Sequence, residues 1–516
     1  MTAQKILYIA SSFVAGFALM TIELISSRIM APIIGSSVYT WTSVIGITLL
    51  GLSLGSFVGG KIADRYQKNI VISLAFIFSA VFTALIPLLE STAKNFISLS
   101  DSIIILNLLI STFLFLIPAF FLGTIQPLIL KKYSISIESL GEKYGNLSAI
   151  WSLGSILGVF LTGFYFISFI GSKNTLLSMS VILTILGSIY LYKQIPKLYF
   201  LIIILILIFL ISGIKFYNPS KIVGLIYEKE TNYFNVRVVD GEYNKSPTRY
   251  LFLDAESHSI EPKNGPTGYT SMCPVFSIIN DNIKDIQFLG AGSYSMPKDC
   301  KKVFQNSNIL VSEIDAKIKD VAEKYFALNS NEIKTVIGDS RLLLQKDPNK
   351  YDLIFGDVYN SFISVPGHLL TTEFNTLIKK HLTDNGIYAV NFISSLSGEK
   401  SELFSTVLNT LKLEFPNYYI FAFGNKPEAT QNIVIVALNG PKTIPDNELY
   451  SRIINDSIRP ELINNFITDE MVSKLNLMNT NIILTDDFTP TEKLMTSTIY
   501  DYFLAHFNFL KKISFY

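Results

Sequence analysis

The chain has 516 residues, of which 49% are hydrophobic, and a formal net charge of +1. A charge so close to zero provides no basic surface for nucleic acid, so we expect no nucleic-acid partner. The two cysteines, Cys273 and Cys300, form no CxxC motif, and the four histidines lack metal-ligand spacing, so we expect no bound metal.

The first 216 residues are predicted to form a transmembrane domain. They are rich in Leu, Ile and Phe, poor in charge, and contain repeated apolar stretches long enough to cross a bilayer. The first stretch is followed by others, which favours a membrane helix over a cleaved signal peptide. The lipid bilayer is therefore an expected partner. We predict about seven helices, at about 6–27, 38–60, 69–89, 102–130, 145–170, 174–192 and 198–214.

Two ionisable residues lie in or near the first predicted span. Glu23 is followed by Arg28 five residues later. Ionisable groups are costly inside a membrane, so both residues are candidates for a functional role such as transport. A Glu23–Arg28 ion pair that only fixes the structure explains them equally well.

A soluble α/β domain is predicted over about 225–440. A hairpin region precedes a regular alternation of strands and helices, which favours a Rossmann-like, doubly wound and largely parallel sheet. Antiparallel strands are expected at its end, at about 419–438. Residues 441–516 are expected to form a C-terminal extension that packs on this catalytic domain. The parallel strands are predicted at about 286–291, 308–315, 333–338 and 352–357.

Three strand ends in this domain carry residues suited to bind a nucleoside. Gly290 and Gly292 form a Gly-x-Gly turn that lets the backbone approach a ligand closely. Glu313 follows about twenty residues later, where a carboxylate can accept hydrogen bonds from both ribose hydroxyls. Asp339, followed by Ser340, is placed to bind an adenine amino group, to cap the next helix, or to do both.

A further acid ends the run 351–357, which predicts a buried strand. Ligands of open α/β sheets bind outside the carboxyl ends of the strands, and Asp357 lies at such an end. Asp357 is therefore our candidate catalytic residue, a general base that deprotonates an attacking amine. The alternative is an acid that only caps the following loop.

Residues of about 225–440 resemble the spermidine synthase, or polyamine aminopropyltransferase, family. The whole chain is similar to the membrane-fused branch of that family, in which major-facilitator-like transmembrane helices precede a spermidine synthase domain. The residues that carry the resemblance are Tyr233, Val236, Val238, the run 251–254, Tyr269, Gly290, Gly292, the run 313–315, Asp339, the runs 351–357 and 366–374, Glu23, Leu24, Arg28, Ala31, Pro32 and the run 485–492.

The resemblance implies a transferase of polyamine biosynthesis. Its co-substrate would be decarboxylated S-adenosylmethionine, and it would hold no permanently bound cofactor. In the family, the residues matching Glu313, Asp339 and Asp357 hold the ribose, hold the adenine and act as the base. A small-molecule amine would be the acceptor, near the residues that match Tyr233, Tyr269, Ser293 and Asn360.

The acceptor side departs from the family's pattern. A dication needs paired anions when it is desolvated, and the family's acids and its His-Glu pair are missing here. We therefore expect an acceptor other than putrescine. The nearby acids Glu256 and Glu261 are the residues able to compensate. The changed positions are Phe234, Thr270, Ser271, Ser293 and Asn360.

Two other functions stay open at this point. The same fold and acids would bind unmodified S-adenosylmethionine in a methyltransferase. A transporter or sensor would instead bind a nucleoside in its soluble domain without turnover. A homodimer is compatible with the sequence.

The charge distribution and the expected substrate predict opposite sides of the membrane for the soluble domain. Nine Lys and Arg residues lie at the amino end and in the loops after helices two, four and six, against five on the other side. The positive-inside rule therefore puts the amino terminus in the cytoplasm, and seven spans then put the soluble domain outside. A sulfonium nucleoside substrate is expected in the cytosol, which favours a multi-pass cell-membrane protein with a cytoplasmic catalytic domain.

Overall fold

The computed structural model describes residues 3–66, 68–100, 102–133, 140–192, 223–243, 245–254, 256–263, 265–357, 366–455 and 459–498. Contacts within the chain divide it into two compact units. The first comprises Met1–Ile222 with Glu230–Phe234, and the second comprises Val223–Lys229 with Asn235–Tyr516.

The first unit is helical. Six helices in its described residues are long and apolar enough to cross a membrane, and they correspond to the first six predicted spans. The seventh predicted span, at 198–214, lies outside the described residues. The helices are α1 (Ala3–Ile34), α2 (Val38–Arg65), α3 (Asn69–Ala93), α4 (Ile103–Tyr133), α5 (Leu140–Leu161, continued by a π-helical turn at Thr162–Phe166) and α6 (Ser172–Tyr192).

Glycines allow two of these helices to pack with their backbones in contact. A Cβ atom added at Gly55 of α2 would lie 2.0 Å from the carbonyl oxygen of Phe120 on α4. A Cβ atom added at Gly123 of α4 would lie 2.5 Å from the carbonyl oxygen of Leu52 on α2. Only glycine fits at such distances, and small residues at helix interfaces permit the close packing that holds membrane helices together.

The second unit begins with a four-stranded sheet in the order β1-β2-β3-β4, in which β3 pairs antiparallel with both β2 and β4. This sheet extends the predicted hairpin region by two strands. Its strands are β1 (Leu225–Glu230), β2 (Asn235–Tyr243), β3 (Ser246–Leu253) and β4 (Glu256–Pro262).

An eight-stranded sheet follows in the order β12-β10-β11-β9-β8-β5-β6-β7. The five strands from β7 to β9 are parallel, and the last three are antiparallel, which confirms the predicted Rossmann-like fold. The strands are β5 (Asp285–Leu289), β6 (Asn308–Glu313), β7 (Ile333–Ile337), β8 (Tyr351–Gly356), β9 (Leu382–Ser394), β10 (Asn417–Ala422), β11 (Gln431–Leu438) and β12 (Phe466–Ile467).

Helices alternate with these strands, as parallel connections require. The helices are α7 (Cys273–Ile279), α8 (Ser295–Val303), α9 (Ala316–Tyr325), α10 (Ser340–Lys346), α11 (Thr372–Lys380), α12 (Glu402–Lys412), α13 (Asp446–Asn455) and α14 (Asp469–Lys474).

The strand order shows at which edge of the large sheet a ligand is expected to bind. The chain runs from β5 outward to β6 and β7 and then returns to the other side of β5 as β8. Ligands of such sheets bind at this switch point, outside the carboxyl ends of the strands. The register aligns the two ends, because Leu289 of β5 pairs with Gly356 of β8 and also with Ser312 of β6. The residues that follow these strands are therefore neighbours.

The described part of the C-terminal region, up to residue 498, bonds to the large sheet and its helices. The strand β12 adds to the edge of the sheet through β10. The Arg459 guanidinium donates two hydrogen bonds to the buried Asp299 carboxylate, at 2.6 and 2.5 Å. The Asp486 carboxylate accepts hydrogen bonds from Arg341 and, at 2.8 Å, from the Thr371 hydroxyl.

A disulfide joins Cys273 at the start of α7 to Cys300 in α8, across a sequence separation of 27 residues. Both cysteines are fully buried. Cross-linking a loop of this length stabilises a fold by about 3.5 kcal/mol in the chain-entropy account. This bond was not predicted from the sequence.

Candidate active site

A cavity of about 410 Å³ lies at the switch point between β5 and β8. Its walls come from the ends of these strands, the Gly290–Gly292 loop, β4, the turn Gly268–Ser271 and the carboxyl-terminal part of β9. Of the predicted site residues, the structure brings four together in this lining: Tyr269, Gly290, Gly292 and Asp357.

Asp357 is fixed in the cavity by its backbone and by two side chains. Its N–H donates to the Leu289 carbonyl oxygen at 3.0 Å, which continues the pairing of β8 with β5. Its carboxylate accepts a hydrogen bond from the Tyr269 hydroxyl at 2.9 Å and another from Asn391 Nδ2 at 2.9 Å. Burial raises the pKa of Asp357, and the two hydrogen bonds offset part of that rise. The group is an oriented carboxylate with increased proton affinity.

Asn391 is a site residue that was not predicted from the sequence. It lies in β9, is 5% exposed, and lines the cavity beside Asp357. Its Oδ1 atom is buried and has no hydrogen-bond partner in the described part of the chain. Buried amide oxygens normally have a partner, so a ligand N–H or O–H is the group that fits there. The available signal was a polar residue inside the apolar run 387–393.

The loop Gly290–Gly292, called the glycine loop below, has a backbone conformation that favours glycine at both of its ends. Gly290 and Gly292 adopt φ angles of +77° and +52°, which side chains disfavour. A Cβ atom at Gly292 would lie 2.6 Å from Ser259 Oγ of β4, so the small sheet closes directly over the loop. The Ser293 N–H donates to the same oxygen at 3.0 Å. The hydroxyl of Ser293 is buried against that of Ser295 at 2.7 Å and does not line the cavity.

Glu313 ends β6 next to this loop. Its carboxylate is buried and accepts backbone hydrogen bonds from Asp315, at 3.2 Å, and from Ala291. Burial raises its pKa to about 7, although these hydrogen bonds lower it. The residue lies outside the cavity lining, and its contact with Ala291 directs the carboxylate towards the backbone of the glycine loop.

Asp339 caps a helix. Its side chain accepts a hydrogen bond from the Leu342 N–H at 2.9 Å, and Ser340 begins α10. Its Oδ2 atom lies 3.4 Å from His368 Nε2. The capping role is thus present, and neither Asp339 nor Ser340 lines the cavity.

The remaining predicted residues are Tyr233, Asn360, Glu23 and Arg28. Tyr233 is exposed in the turn between β1 and β2 and does not line the cavity. Asn360 lies outside the described residues. In the helical unit, Glu23 accepts a hydrogen bond from the Thr48 hydroxyl at 3.0 Å. Arg28 donates to backbone carbonyl oxygens, including that of Thr231 at 2.9 Å, and these contacts differ from the alternative of a Glu23–Arg28 ion pair.

Glu256 and Glu261, the two acids on β4 that could compensate for the missing family acids, have different surroundings. Glu256 is buried in the cavity lining, and His258 of the same strand lines it too. Glu261 instead forms an ion pair with Lys298 at 2.5 Å outside the cavity. The cavity therefore contains a second carboxylate beside that of Asp357.

Comparison with known proteins agrees with this architecture. Residues 282–464 match the family described as the spermine/spermidine synthase domain. A probable polyamine aminopropyl transferase of Bifidobacterium longum is 29% identical over 304 residues, which are 55% of this chain and 64% of that protein. The chain thus spans less than two thirds of that relative.

Two further similarities cover different parts of the chain. Polyamine aminopropyltransferase 2 of Aquifex aeolicus is 22% identical over 427 residues, 78% of this chain and 81% of that protein. The spermidine synthase structure from Thermotoga maritima aligns with 49% of this chain and 84% of its own, at 16% identity and a TM-score of 0.37. Residues 282–464 belong to the spermine/spermidine synthase domain family, and the chain joins that domain to a region with six long apolar helices.

Proposed function

We propose that the second unit transfers an aminopropyl group from a decarboxylated S-adenosylmethionine-type donor to an amine other than putrescine. The observation that carries this proposal is the Asp357 carboxylate, held by Tyr269 and Asn391 at the switch point of the sheet. The glycine loop borders the same cavity, and the Glu313 carboxylate accepts a hydrogen bond from the backbone of Ala291 in that loop. The proposed nucleoside site and the proposed base, Asp357, thus border the same cavity.

The reaction requires a neutral amine at the base. The acceptor ammonium loses one proton to Asp357, which passes it to solvent. The freed nitrogen lone pair then forms a bond to the propyl carbon next to the sulfonium sulfur. The carbon–sulfur bond breaks with its electron pair going to sulfur, so that neutral methylthioadenosine leaves and a secondary ammonium product remains.

Asn391 orients the attacking nitrogen in this proposal. An amine that donates one hydrogen bond to Asp357 has a second N–H for the buried Asn391 Oδ1. The two contacts hold the lone pair in one direction, and such positioning accounts for a large part of the rate in transfer reactions. The Tyr269 hydroxyl keeps the carboxylate in place while the proton moves.

The charge of putrescine makes it a poor acceptor for this cavity. Putrescine carries a second ammonium group that must stay charged in a partly dry site, where a charge needs anionic partners. Besides Asp357, the described cavity lining offers it one carboxylate, that of Glu256. Ser293 stands where the family has an acid, and its hydroxyl is buried outside the cavity lining. A neutral hydroxyl offsets little of the desolvation cost.

The test is product analysis by mass spectrometry. The full chain in detergent is incubated with decarboxylated or unmodified S-adenosylmethionine and a panel of mono-, di- and zwitterionic amines. We expect methylthioadenosine and an aminopropylated amine, with putrescine among the poor acceptors. S-adenosylhomocysteine would instead identify a methyltransferase, and bound nucleoside without any product would identify a binding protein. Either outcome overturns the proposal.

The helical region supports a multi-pass location in the cell membrane. The disulfide bears on which side of that membrane the second unit lies. Disulfides persist in oxidising compartments and are rare in the cytosol. The Cys273–Cys300 bond therefore supports the non-cytoplasmic side for the second unit, which is also the side expected from the positive-inside rule when the seven predicted spans are counted. The donor and acceptor must then be supplied to that compartment.

Thiol trapping tests this placement. The chain has two cysteines, so a mass-tag maleimide assay after acid quenching and denaturation of whole cells counts free thiols directly. We expect no tag before reduction and two tags after it. The Cys273→Ser variant is the control, since its remaining thiol should accept one tag without reduction. Two tags on the unreduced parent chain would place the second unit in the cytosol.

A further inference from the structure

An arginine of the C-terminal region contacts the turn that carries Tyr269. Arg459 donates hydrogen bonds to both carboxylate oxygens of Asp299 in α8, at 2.6 and 2.5 Å, and one to the carbonyl oxygen of Ser271, at 2.6 Å. Ser271 is the last residue of the turn Gly268–Ser271, and both Ser271 and Asp299 are buried. A single guanidinium therefore joins the turn to α8.

The disulfide joins the same two segments at neighbouring residues. It links Cys273, two residues after Ser271, to Cys300, the residue after Asp299. The disulfide fixes the start of α7 against α8, and the Arg459 contact extends this attachment to the end of the turn. The turn and α7 are thus held on one helix by two adjacent connections.

Tyr269 connects this turn to the candidate base. Its hydroxyl donates to Asp357 Oδ2 at 2.9 Å, and two residues further along the chain Ser271 accepts the hydrogen bond from Arg459. Arg459 itself is not among the described lining residues of the cavity. A displacement of about 1 Å at a reacting group, caused by a change elsewhere, lowers a rate by up to about 100-fold. The attachment of the turn is therefore relevant to the reaction.

We propose that Arg459 is a positioning residue for the aminopropyl transfer. By holding the Ser271 carbonyl beside Asp299, it keeps the Tyr269 hydroxyl on the Asp357 carboxylate. The inference rests on the proposed function, in which Asp357 is the base. It gives the C-terminal region a role in the reaction.

The Tyr269 contact also affects the proton affinity of the base. Burial raises the pKa of Asp357, and the hydrogen bonds from Asn391 and Tyr269 lower it. Loss of the Tyr269 bond therefore raises this pKa further, and the rising limb of kcat/KM should move to higher pH by about one unit. The other titratable groups in the described cavity lining, all of which a substitution of Arg459 leaves in place, are Tyr243, Glu256 and His258.

Arg459→Lys tests the proposal. Lysine keeps a cation beside the buried Asp299 carboxylate, but it lacks the planar fork that bonds a carboxylate and a carbonyl oxygen at once. The assay uses the full chain in detergent, the decarboxylated donor and the best acceptor of the amine panel. We expect kcat to fall about 10-fold or more, and the limb of kcat/KM to move to higher pH as in Tyr269→Phe. Methylthioadenosine affinity should change little.

Arg249→Lys is the matched control. Arg249 of β3 makes the same kinds of contact, with both oxygens of Asp240 at 2.6 and 2.7 Å and with the Tyr325 carbonyl oxygen at 2.7 Å, and it does not line the cavity. This variant should lower the unfolding temperature without moving the pH limb. Parental turnover in Arg459→Lys, or a limb that stays at its parental pH, overturns the proposal.

A double variant shows whether Arg459 acts through Tyr269. Two substitutions that act through one contact are not additive. Tyr269→Phe with Arg459→Lys should show the same pH limb as Tyr269→Phe alone. In calorimetric unfolding, Tyr269→Phe should lower the transition temperature less in the Arg459→Lys background than in the parent, and additive effects overturn the proposal. Absence of turnover with every amine overturns the transfer itself, and the unfolding measurements then decide whether Arg459 positions Tyr269.

Discussion

Replacing Asp357 by asparagine is expected to reduce turnover about 100-fold or more while donor affinity changes little. Asparagine has nearly the shape of aspartate but cannot accept the proton that the attacking ammonium must lose. The Tyr269 hydroxyl can accept as well as donate a hydrogen bond, so the contacts around residue 357 can rearrange without unfolding. Steady-state kinetics and calorimetry with methylthioadenosine measure the two quantities.

The pH profile gives an independent check on the same group. Burial raises the pKa of Asp357, so its carboxylate forms at a higher pH than an ordinary aspartate. The base must be ionised to act, and kcat/KM should therefore rise with pH through a limb shifted above the usual aspartate range. That limb should vanish in Asp357→Asn.

Asp352→Asn is the matched control for this prediction. Asp352 lies on the same strand at its other end, where its carboxylate accepts hydrogen bonds from the Lys284 and Asp285 N–H groups, at 2.8 and 3.0 Å. It should cost stability without selective loss of turnover. Parental turnover in Asp357→Asn, or equal loss in both variants, would end the assignment of Asp357 as the base.

The residues at the carboxyl ends of the strands could be predicted from the sequence because local patterns determine where these strands end. Buried parallel strands read as short apolar runs, and the residues after them meet at one edge of the sheet. That is why the sequence alone predicts that Gly290, Gly292 and Asp357 lie beside one another. The six described apolar helices follow from composition in the same way.

Other contacts depend on register and packing, which local patterns do not encode. His258 lines the cavity at a register irregularity, and Asn391 approaches Asp357 only because β9 pairs with β8. The Cys273–Cys300 bond joins two helices whose proximity the 27-residue spacing alone does not reveal. The burial of Ser293 likewise depends on the small sheet that closes over the loop.

Replacing Glu313 by glutamine is expected to stabilise the ligand-free protein at alkaline pH and to weaken nucleoside binding. Burial raises the pKa of Glu313 from 4.5 to about 7. A carboxyl group with a raised pKa stabilises the fold while protonated, and this stabilisation is lost as the pH rises from 4.5 through 7. At pH 8 the loss amounts to roughly 3 kcal/mol, and glutamine, which stays neutral, does not incur it.

The negative charge of Glu313, which destabilises the ligand-free fold, is expected to strengthen nucleoside binding. The ionised carboxylate can accept hydrogen bonds from two ribose hydroxyls, whereas glutamine offers one oxygen. Losing a hydrogen bond to a charged group costs roughly 1.5–3 kcal/mol, so methylthioadenosine affinity should fall about 10–100-fold. In the parent chain, affinity should also rise between pH 6 and pH 8 as Glu313 ionises.

Calorimetric unfolding of the full chain in detergent tests both parts. The transition that methylthioadenosine shifts to higher temperature belongs to the second unit, since a ligand stabilises only the unit that binds it. We expect the Glu313→Gln transition to lie above that of the parent at pH 8 and to coincide with it near pH 4.5. A stability difference that is independent of pH, or parental affinity in the variant, would remove Glu313 from the binding site. The expected combination, greater stability with weaker binding, has a direct physical reason. In the proposed nucleoside site, bound ribose hydroxyls would replace the hydrogen bonds that water supplies to an exposed carboxylate, so the complex would favour the charge that the ligand-free fold disfavours.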